Sequence, residues 1–252
     1  MRLSLTLALV VMSASNLDAQ ASLGSWPQHS KERPMAPVVT PGPHVSIAPS
    51  SDAVVLFDGT SLAKWTQRDG SPAKWRVVDG AFEVVKGTGT LTTRDAFGDA
   101  QLHLEWMSPK PAVGTDQDRG NSGVFFGGGR YEVQVLDSYQ SVTYADGQAG
   151  SLYGQHPPLV NASRPPGEWQ SYDIVYHRPR FDGGGKVLSP ARFTVFHNGI
   201  LVQDNAELVG PTANMSRPPY EAHPDRLPIS LQDHGHPVRF RNVWIRDLEK
   251  GK

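Results

Sequence analysis

A carboxylate and a side-chain amide stand two residues apart in the run Tyr131-Glu-Val-Gln-Val-Leu-Asp. Because side chains alternate between the two faces of a strand, Glu132 and Gln134 share one face, and the apolar residues around them share the other. A face with one carboxylate and one amide can bind a ligand rich in hydroxyl groups, or it can simply be solvated. Asp137 ends the run as a third candidate, although aspartate is also a common turn former.

The strand predicted just before this one begins in a second polar group, Arg119-Gly-Asn-Ser-Gly. Three glycines at 127–129 separate the two strands, and glycine permits the positive φ angles of a hairpin loop. The group packs a cation, an amide and a hydroxyl between glycines, so Arg119 and Asn121 are candidate hydrogen-bond donors in a cleft beside Glu132 and Gln134. A plain turn before a strand is the alternative.

A histidine lies at a tight bend in Leu231-Gln-Asp-His-Gly. Histidine is the side chain that titrates between pH 5 and 8, so His234 is a candidate base or metal ligand. Gln232 and Asp233 stand beside it as candidate substrate contacts. Tyr153, in the glycine-flanked run 150–154, is a candidate for stacking on a ligand. The alternatives are a surface turn, and a tyrosine that pins its loop to the sheet.

β-strand signals recur along the chain at short intervals, and almost no window shows the 3.6-residue apolar spacing of a helix. Residues 74–85 predict a hairpin that turns on Asp-Gly, and 101–107 alternate cleanly between apolar and polar side chains. Residues 192–199 end on the turn signal His-Asn-Gly, and 237–247 predict a last pair of strands. The pattern predicts an all-β fold, an antiparallel β-sandwich or jelly roll.

Two long segments, 139–166 and 209–227, do not fit strands. Loops of this length in a compact domain are usually functional or disordered. We expect both to pass over one end or face of the sandwich.

The chain begins with a positive residue, a short apolar run and a small-x-small site, so residues 1–21 predict a secretory signal peptide. The apolar run is too short to span a bilayer as a helix. Residues 22–52 are rich in proline and serine and predict a linker that is extended or disordered. Residues 53–249 predict a single β domain. The predicted location is secreted or periplasmic.

The composition narrows the class of partner. The net charge is −1 and the sequence has no cysteine. A nucleic-acid surface calls for a basic excess, which is missing here, and no disulfide framework is possible. We expect a small, neutral partner and no nucleic acid.

Several motifs occur in an order that is specific in combination. They are Leu56-Phe-Asp-Gly-Thr-Ser-Leu with Trp65, Arg119-Gly-Asn-Ser-Gly-Val, Tyr131-Glu-Val-Gln-Val-Leu-Asp, Gly150 to Gly154, Trp169-Gln-Ser-Tyr-Asp, His197-Asn-Gly and Ile229-Ser-Leu-Gln-Asp-His-Gly. Across residues 56–245 the chain resembles the 3-keto-disaccharide hydrolase family. The resemblance implies an exported, concanavalin-like jelly roll that acts on sugars oxidised at C3. Departures at 182–185 and 212–224 are local to loops.

Such a substrate suggests a mechanism. A ketone at C3 acidifies the hydrogen on C2, so a base can remove it, the bond from C1 to the glycosidic oxygen can break by elimination, and water can add back. On this hypothesis His234 is the preferred base, oriented by Asp233 or Asp137, and Glu132 is the rival base. A divalent metal (Ca, Mn or Zn) could replace some hydrogen-bond donors, with Glu132, Asp137 and His234 as its ligands.

Other functions remain open. An ordinary glycosidase needs two carboxylates at the bond, and only Glu132 is well placed on the predicted face. A non-catalytic carbohydrate-binding (lectin-like) module would use the same face but can do without a base at His234. A structural adhesion domain would carry a broad apolar outer patch, which the alternation does not indicate. An enzyme acting on a small carbohydrate is the favoured reading, and the oligomeric state is left undetermined.

Overall fold

The computed structural model describes residues 26–249, so the predicted signal peptide, 1–21, lies outside the described residues. The strands within the described range are β1 (Val54–Phe57), β2 (Trp65–Gln67), β3 (Arg76–Val78), β4 (Ala81–Glu83), β5 (Leu91–Thr93), β6 (Ala100–Met107), β7 (Ser122–Phe126), β8 (Tyr131–Val135), β9 (Gln170–His177), β10 (Arg180–Phe181), β11 (Val187–Ser189), β12 (Arg192–His197), β13 (Ile200–Glu207), β14 (Ser230–Leu231) and β15 (Arg239–Asp247). A 3₁₀ turn, Ala145–Gly147, lies between β8 and β9.

The strands form two sheets and a separate two-stranded ribbon. The larger sheet has the order β13-β12-β9-β6-β15-β4-β3, with β1 also paired to β15, and the smaller has the order β2-β5-β14-β7-β8. The ribbon is β10-β11. Every pairing between these strands is antiparallel. The predicted antiparallel β-sandwich is confirmed.

The two sheets pack against each other through aromatic and aliphatic side chains. The ring of Phe126 on β7 lies 4.9 Å from that of Tyr176 on β9 and 5.4 Å from that of Phe193 on β12, between centroids. The Tyr172 hydroxyl on β9 donates to the Gln134 carbonyl on β8 at 2.8 Å. Because burial of apolar surface is the dominant favourable contribution to folding, this core decides which face of each strand points outward.

Two predicted hairpin turns are confirmed by their backbone angles. Asp79 and Gly80 have φ of 52° and 71°, and Asn198 and Gly199 have φ of 54° and 78°. A type I′ turn needs positive φ at both central residues, which asparagine, aspartate and glycine tolerate best.

The final strand differs from the prediction. Residues 239–247 form one strand rather than a pair, and its register to β6 shifts between Arg241 and Trp244. Asn242 lies within the shift with φ of 46°. The break in the apolar alternation therefore marks a bulge, which bends a strand without ending it.

Residues 26–52, most of the segment predicted as a linker, form turns within 28–33 and an isolated bridge at Val38, and contain no strand of their own. Ser46 hydrogen-bonds the Glu105 carboxylate, and His44 Nε2 lies 3.2 Å from it. Glu105 and His103 alternate outward from the core on β6, yet both are fully buried. This segment covers Glu105, whereas Asp173 and the ring of Trp244 lie against His103.

Apart from isolated bridges, neither of the two segments predicted as long loops contains a strand. The first lies between β8 and β9 and contains the 3₁₀ turn, and the second lies between β13 and β14. We call them the first and the second long loop. No helix within residues 26–249 has the length and apolar character needed to cross a membrane.

Candidate active site

A cavity of about 300 Å³ opens on the outer face of the smaller sheet. Its walls come from the segment before β7, from β7 and β8, from the bend after β14 and from both long loops. The lining residues are Gln117, Asn121, Phe125, Glu132, Gln134, Tyr153, Thr212, Ala213, Asn214, Gln232 and His234. A concave site of this size with convergent polar groups suits a small ligand rich in hydroxyl groups.

Strand pairing sets the floor of the cavity. Across β7 and β8, Glu132 pairs with Phe125 and Gln134 pairs with Gly123, so these positions share the face turned away from the core. β8 is the last strand of its sheet, but residues 150–153 of the first long loop hydrogen-bond its outer edge. The alternation predicted for this strand is confirmed, and the loop holds it from the open side.

Glu132 is the most strongly perturbed acid of the cavity. Only 7% of the residue is exposed, and its carboxylate has no hydrogen-bond or ionic partner among residues 26–249. Burial disfavours the charged form and raises the pKa of Glu132 to about 8. A carboxyl group with this pKa can take up or release a proton near neutral pH, which is what general acid–base catalysis requires.

Amide side chains flank this carboxyl group. The Gln117 side-chain oxygen accepts from the Gln134 side-chain amide at 2.9 Å. The Gln117 backbone carbonyl accepts from the Asn121 side-chain amide at 2.8 Å. The Oε1 atoms of Gln134 and Gln232 are buried and have no partner in the described part of the chain. A buried acceptor without a partner costs about 1–3 kcal/mol, so each amide gains a hydrogen bond if it turns toward a hydroxyl group of a ligand.

Each long loop contributes one fixed contact near Glu132. The Thr212 hydroxyl accepts from the Glu132 backbone N–H at 3.0 Å and donates to the Arg130 carbonyl at 3.1 Å. The Tyr153 hydroxyl lies 2.8 Å from the Tyr144 hydroxyl. Burial raises the pKa of Tyr153, so this phenol stays protonated and keeps a proton to donate.

His234 lies on the exposed rim of the cavity. Its ring is stacked on that of His236, with centroids 6.0 Å apart and an interplanar angle of 8°. His236 Nδ1 in turn accepts from the Asn121 backbone N–H at 3.2 Å. The two histidines therefore join the bend after β14 to the start of β7.

Asp233 forms the bend rather than orienting His234. Its two carboxylate oxygens accept from the backbone N–H groups of Gly235 and Gly89, each at 2.9 Å. Asp233 is absent from the cavity lining, so its predicted role as a substrate contact has no geometric support.

Arg119 and Asp137 also lie outside the cavity lining and bind each other. Arg119 Nε lies 2.8 Å from Asp137 Oδ2, and the Tyr139 backbone N–H donates to Asp137 Oδ1 at 3.2 Å. Asp137 is 1% exposed. Because both oxygens of Asp137 are engaged inside the protein, the pair fastens the ends of the hairpin and does not reach the cavity.

Within residues 26–249 no three His, Asp or Glu side chains come together in a way that could hold a metal ion. Of the three predicted ligands, Glu132 and His234 line the cavity, whereas Asp137 is neutralised by Arg119. Asp137 therefore does not fit the role of a metal ligand.

The sequence interpretation missed five lining residues. Phe125 follows from the alternation that selects Glu132, applied to the neighbouring strand. No sequence pattern selects Gln117, and only its contacts with Gln134 and Asn121 in the structure identify it as part of the site. Residues 212–214 belong to a loop whose path no periodicity reveals.

Comparison with known proteins agrees with this fold. The family model described as a 3-keto-alpha-glucoside-1,2-lyase-like domain matches residues 52–246. A 3-keto-disaccharide hydrolase of Bacteroides thetaiotaomicron is 25% identical over 240 residues, 78% of each chain.

Two solved structures, each titled "putative glycosyl hydrolase" from Parabacteroides distasonis, share the architecture. One is 44% identical, covers 85% of this chain and 93% of its own, and has a TM-score of 0.78. The other is 22% identical, covers 78% and 94%, has a TM-score of 0.57 and shows the fold alone. The resemblance seen in the sequence motifs is confirmed, and the chain belongs to the 3-keto-alpha-glucoside-1,2-lyase-like family.

Proposed function

We propose that this chain is an exported carbohydrate-active enzyme that cleaves the glycosidic bond of 3-keto-glucosides, including 3-keto-disaccharides, by elimination across C1–C2 followed by hydration. The observation that carries the proposal is Glu132, a buried carboxyl group with a pKa of about 8 in a cavity lined by amides. Export rests on the sequence pattern of residues 1–21.

The reaction balances in two steps. In the first, a base removes the proton on C2, the electron pair forms a C1=C2 double bond, and the alcohol leaves from C1 with a proton. The product is an enone, in which the new C1=C2 double bond is conjugated with the C3 carbonyl group. In the second step water adds its hydroxyl to C1 and a proton to C2, which gives the free 3-keto sugar.

Glu132 is the base in this proposal, in place of the first choice made from the sequence. Removal of the C2 proton neutralises the carboxylate, and burial favours the neutral form, so the same desolvation that raises the pKa of Glu132 strengthens it as a base. At pH 7 about one tenth of such groups are ionised, which suffices for turnover.

The surrounding polar groups have complementary roles. The Tyr153 hydroxyl and the Gln232 side-chain amide donate to the C3 oxygen, where enolate charge develops. The free Oε1 atoms of Gln134 and Gln232 accept from sugar hydroxyls. His234, on the open rim, transfers the proton to the departing alcohol, because that group must leave toward solvent.

The test is to incubate the purified mature protein with a 3-keto-glucoside, with and without chelator, and to follow released 3-keto-glucose and alcohol. The same glucoside without the ketone is the matched substrate control, since its C2 hydrogen is not acidic. We expect release from the 3-keto substrate alone. Release that chelator abolishes would point to a metal-assisted step, and release indifferent to chelator would point to side-chain acid–base catalysis alone. Binding of both sugars without release would favour the carbohydrate-binding module, and release from both would favour an ordinary glycosidase.

A further inference from the structure

An N-terminal arm, residues 26–36, contacts both long loops beside the cavity. The Gln28 side-chain amide donates to the Ala213 carbonyl, and Ala213 lines the cavity. The same amide lies against Gly154, next to Tyr153 in the first long loop. The arm therefore spans the opening between the two loops that carry cavity residues.

His29 is the central contact of this arm. Its backbone N–H and its Nδ1 lie 3.1 and 3.3 Å from the two carboxylate oxygens of Asp146. Both side chains are buried, 7% and 1% exposed. Although burial alone would raise it, the pKa of Asp146 is held below its ordinary value by the hydrogen bonds from His29. A buried, doubly hydrogen-bonded carboxylate is a rigid anchor, because removing a partner leaves a charge uncompensated.

The His29 ring also packs against two tyrosines. Its centroid lies 4.0 Å from that of Tyr144 and 5.0 Å from that of Tyr153. The tyrosine hydroxyls hydrogen-bond each other, and the Asp146 carbonyl accepts from the Gly154 N–H at 2.8 Å. His29 and Asp146 thus hold Tyr153 on its ring side and on its backbone side.

From this geometry we infer that the N-terminal arm is part of the substrate site, with His29, anchored on Asp146, acting as a positioning residue that directs the Tyr153 hydroxyl into the cavity. Tyr153 is also tied to the proposed base, because its backbone N–H donates to the Glu132 carbonyl at 3.2 Å. The inference rests on the proposed function in one respect, namely that the ligand held by Tyr153 is a sugar.

The experiment uses the mature chain with the substitutions His29→Ala, Asp146→Asn and Tyr153→Phe, and the double variant His29→Ala/Tyr153→Phe. Turnover of a 3-keto-glucoside gives kcat and KM, and amide hydrogen exchange of residues 150–156 reports the loop directly. His44→Ala is the matched control, because His44 lies in the same N-terminal segment beside a buried carboxylate, Glu105, but on the other sheet.

We expect His29→Ala and Asp146→Asn each to raise KM about tenfold, the effect of one lost hydrogen bond of the usual strength. Exchange of residues 150–156 becomes several-fold faster in both, while His44→Ala changes neither. Because His29 acts through Tyr153, the double variant is no worse than the poorer of its two single variants.

A lower melting temperature with unchanged KM and unchanged exchange at residues 150–156 would overturn the inference, and so would fully additive effects in the double variant. If the wild type releases no sugar, the proposed function fails by itself. Hydrogen exchange then still decides the positioning role: faster exchange in His29→Ala supports it, and unchanged exchange refutes it.

Discussion

The carboxylate of Glu132 lies in the space that a side chain at Gly123 would occupy. A Cβ placed on Gly123 meets Glu132 Oε1 and the ring of Phe125 at distances that real atoms do not show. The absence of a side chain on β7 therefore gives the acid on β8 its position, and the size of residue 123 sets where the proposed base can stand.

Gly123→Ala tests this relationship. The backbone of Gly123 lies outside the positive-φ region, so alanine causes no backbone strain there. The methyl group displaces the Glu132 carboxylate, and we expect kcat to fall about a hundredfold, as for other small displacements of a reacting group. Gly183→Ala is the control, because a Cβ there meets nothing. Equal activity of the two variants would show that the position of Glu132 is not critical.

Glu132→Gln separates activity from stability. With a folded pKa of about 8 against an ordinary 4.5, the folded protein binds the proton more tightly than the unfolded chain. Stability therefore falls as the pH rises through the window from 4.5 to 8, and the amide removes this loss. We expect at least a hundredfold lower turnover, together with a gain on the order of 5 kcal/mol in unfolding free energy at pH 9 and little gain at pH 4. Urea unfolding at both pH values measures the difference, with the exposed Glu168→Gln as control.

The pH dependence of kcat/KM distinguishes the two candidate bases. If Glu132 takes the C2 proton, kcat/KM rises with pH and levels off above about 8, because only the ionised form of the free enzyme is active. His234→Ala is expected to lower kcat at least tenfold while leaving this limb in place. Full turnover in His234→Ala would remove His234 from the chemistry, and loss of the limb would make His234 the base.

Gln232→Ala probes substrate binding apart from proton transfer. On the proposed function, its buried Oε1, which has no partner in the described residues, accepts from a sugar hydroxyl, so its removal is expected to raise KM about tenfold. Steady-state kinetics with a 3-keto-glucoside measure the change. Gln101→Ala is the control, since Gln101 Oε1 is already paired with Arg246 on the larger sheet. An unchanged KM in Gln232→Ala would place the sugar elsewhere.

Ser46→Ala tests whether the segment before the β domain contributes to folding. Burial opposes ionisation of Glu105, but hydrogen bonds from Ser46, Asn242 and Arg241 lower its pKa to about 2. This stabilisation is present above pH 4.5 and is lost as the pH falls from 4.5 toward 2. The variant should lose about 1.5 kcal/mol of unfolding free energy at pH 7, and the loss should shrink toward pH 2.

Thermal or urea unfolding at both pH values measures this effect. Ser50→Ala is its control, because the Ser50 hydroxyl bonds only the exposed Asp52. A Ser46→Ala variant as stable as Ser50→Ala would make the segment energetically dispensable.

The parts of the site that follow a two-residue period were predictable from the sequence. Glu132 and Gln134 lie on the expected face because a buried sheet face fixes the register of its strand. Roles that depend on competition between partners were not predictable. The side chains of Arg119 and Asp137 are both of types that could bind a substrate. They instead form an ion pair outside the cavity, and no pattern in the sequence predicts that pairing.

The position of the N-terminal arm is a second feature that could not be predicted from the sequence. Composition predicts a linker there and gives no sign of the contact between His29 and Asp146, which are 117 positions apart in the chain. Contacts made by isolated side chains over such separations leave no periodic signal, so the arm's place beside the cavity appears only in three dimensions.

The loop residues 150–153 that hydrogen-bond β8 also affect how copies of the protein meet one another. An open strand edge recruits extended segments from other molecules, and this is a common start of aggregation. Here the strand that carries Glu132 has its outer N–H and C=O groups already matched within the chain. The margin of this sheet can therefore hold a polar cavity without offering a free strand edge to another molecule.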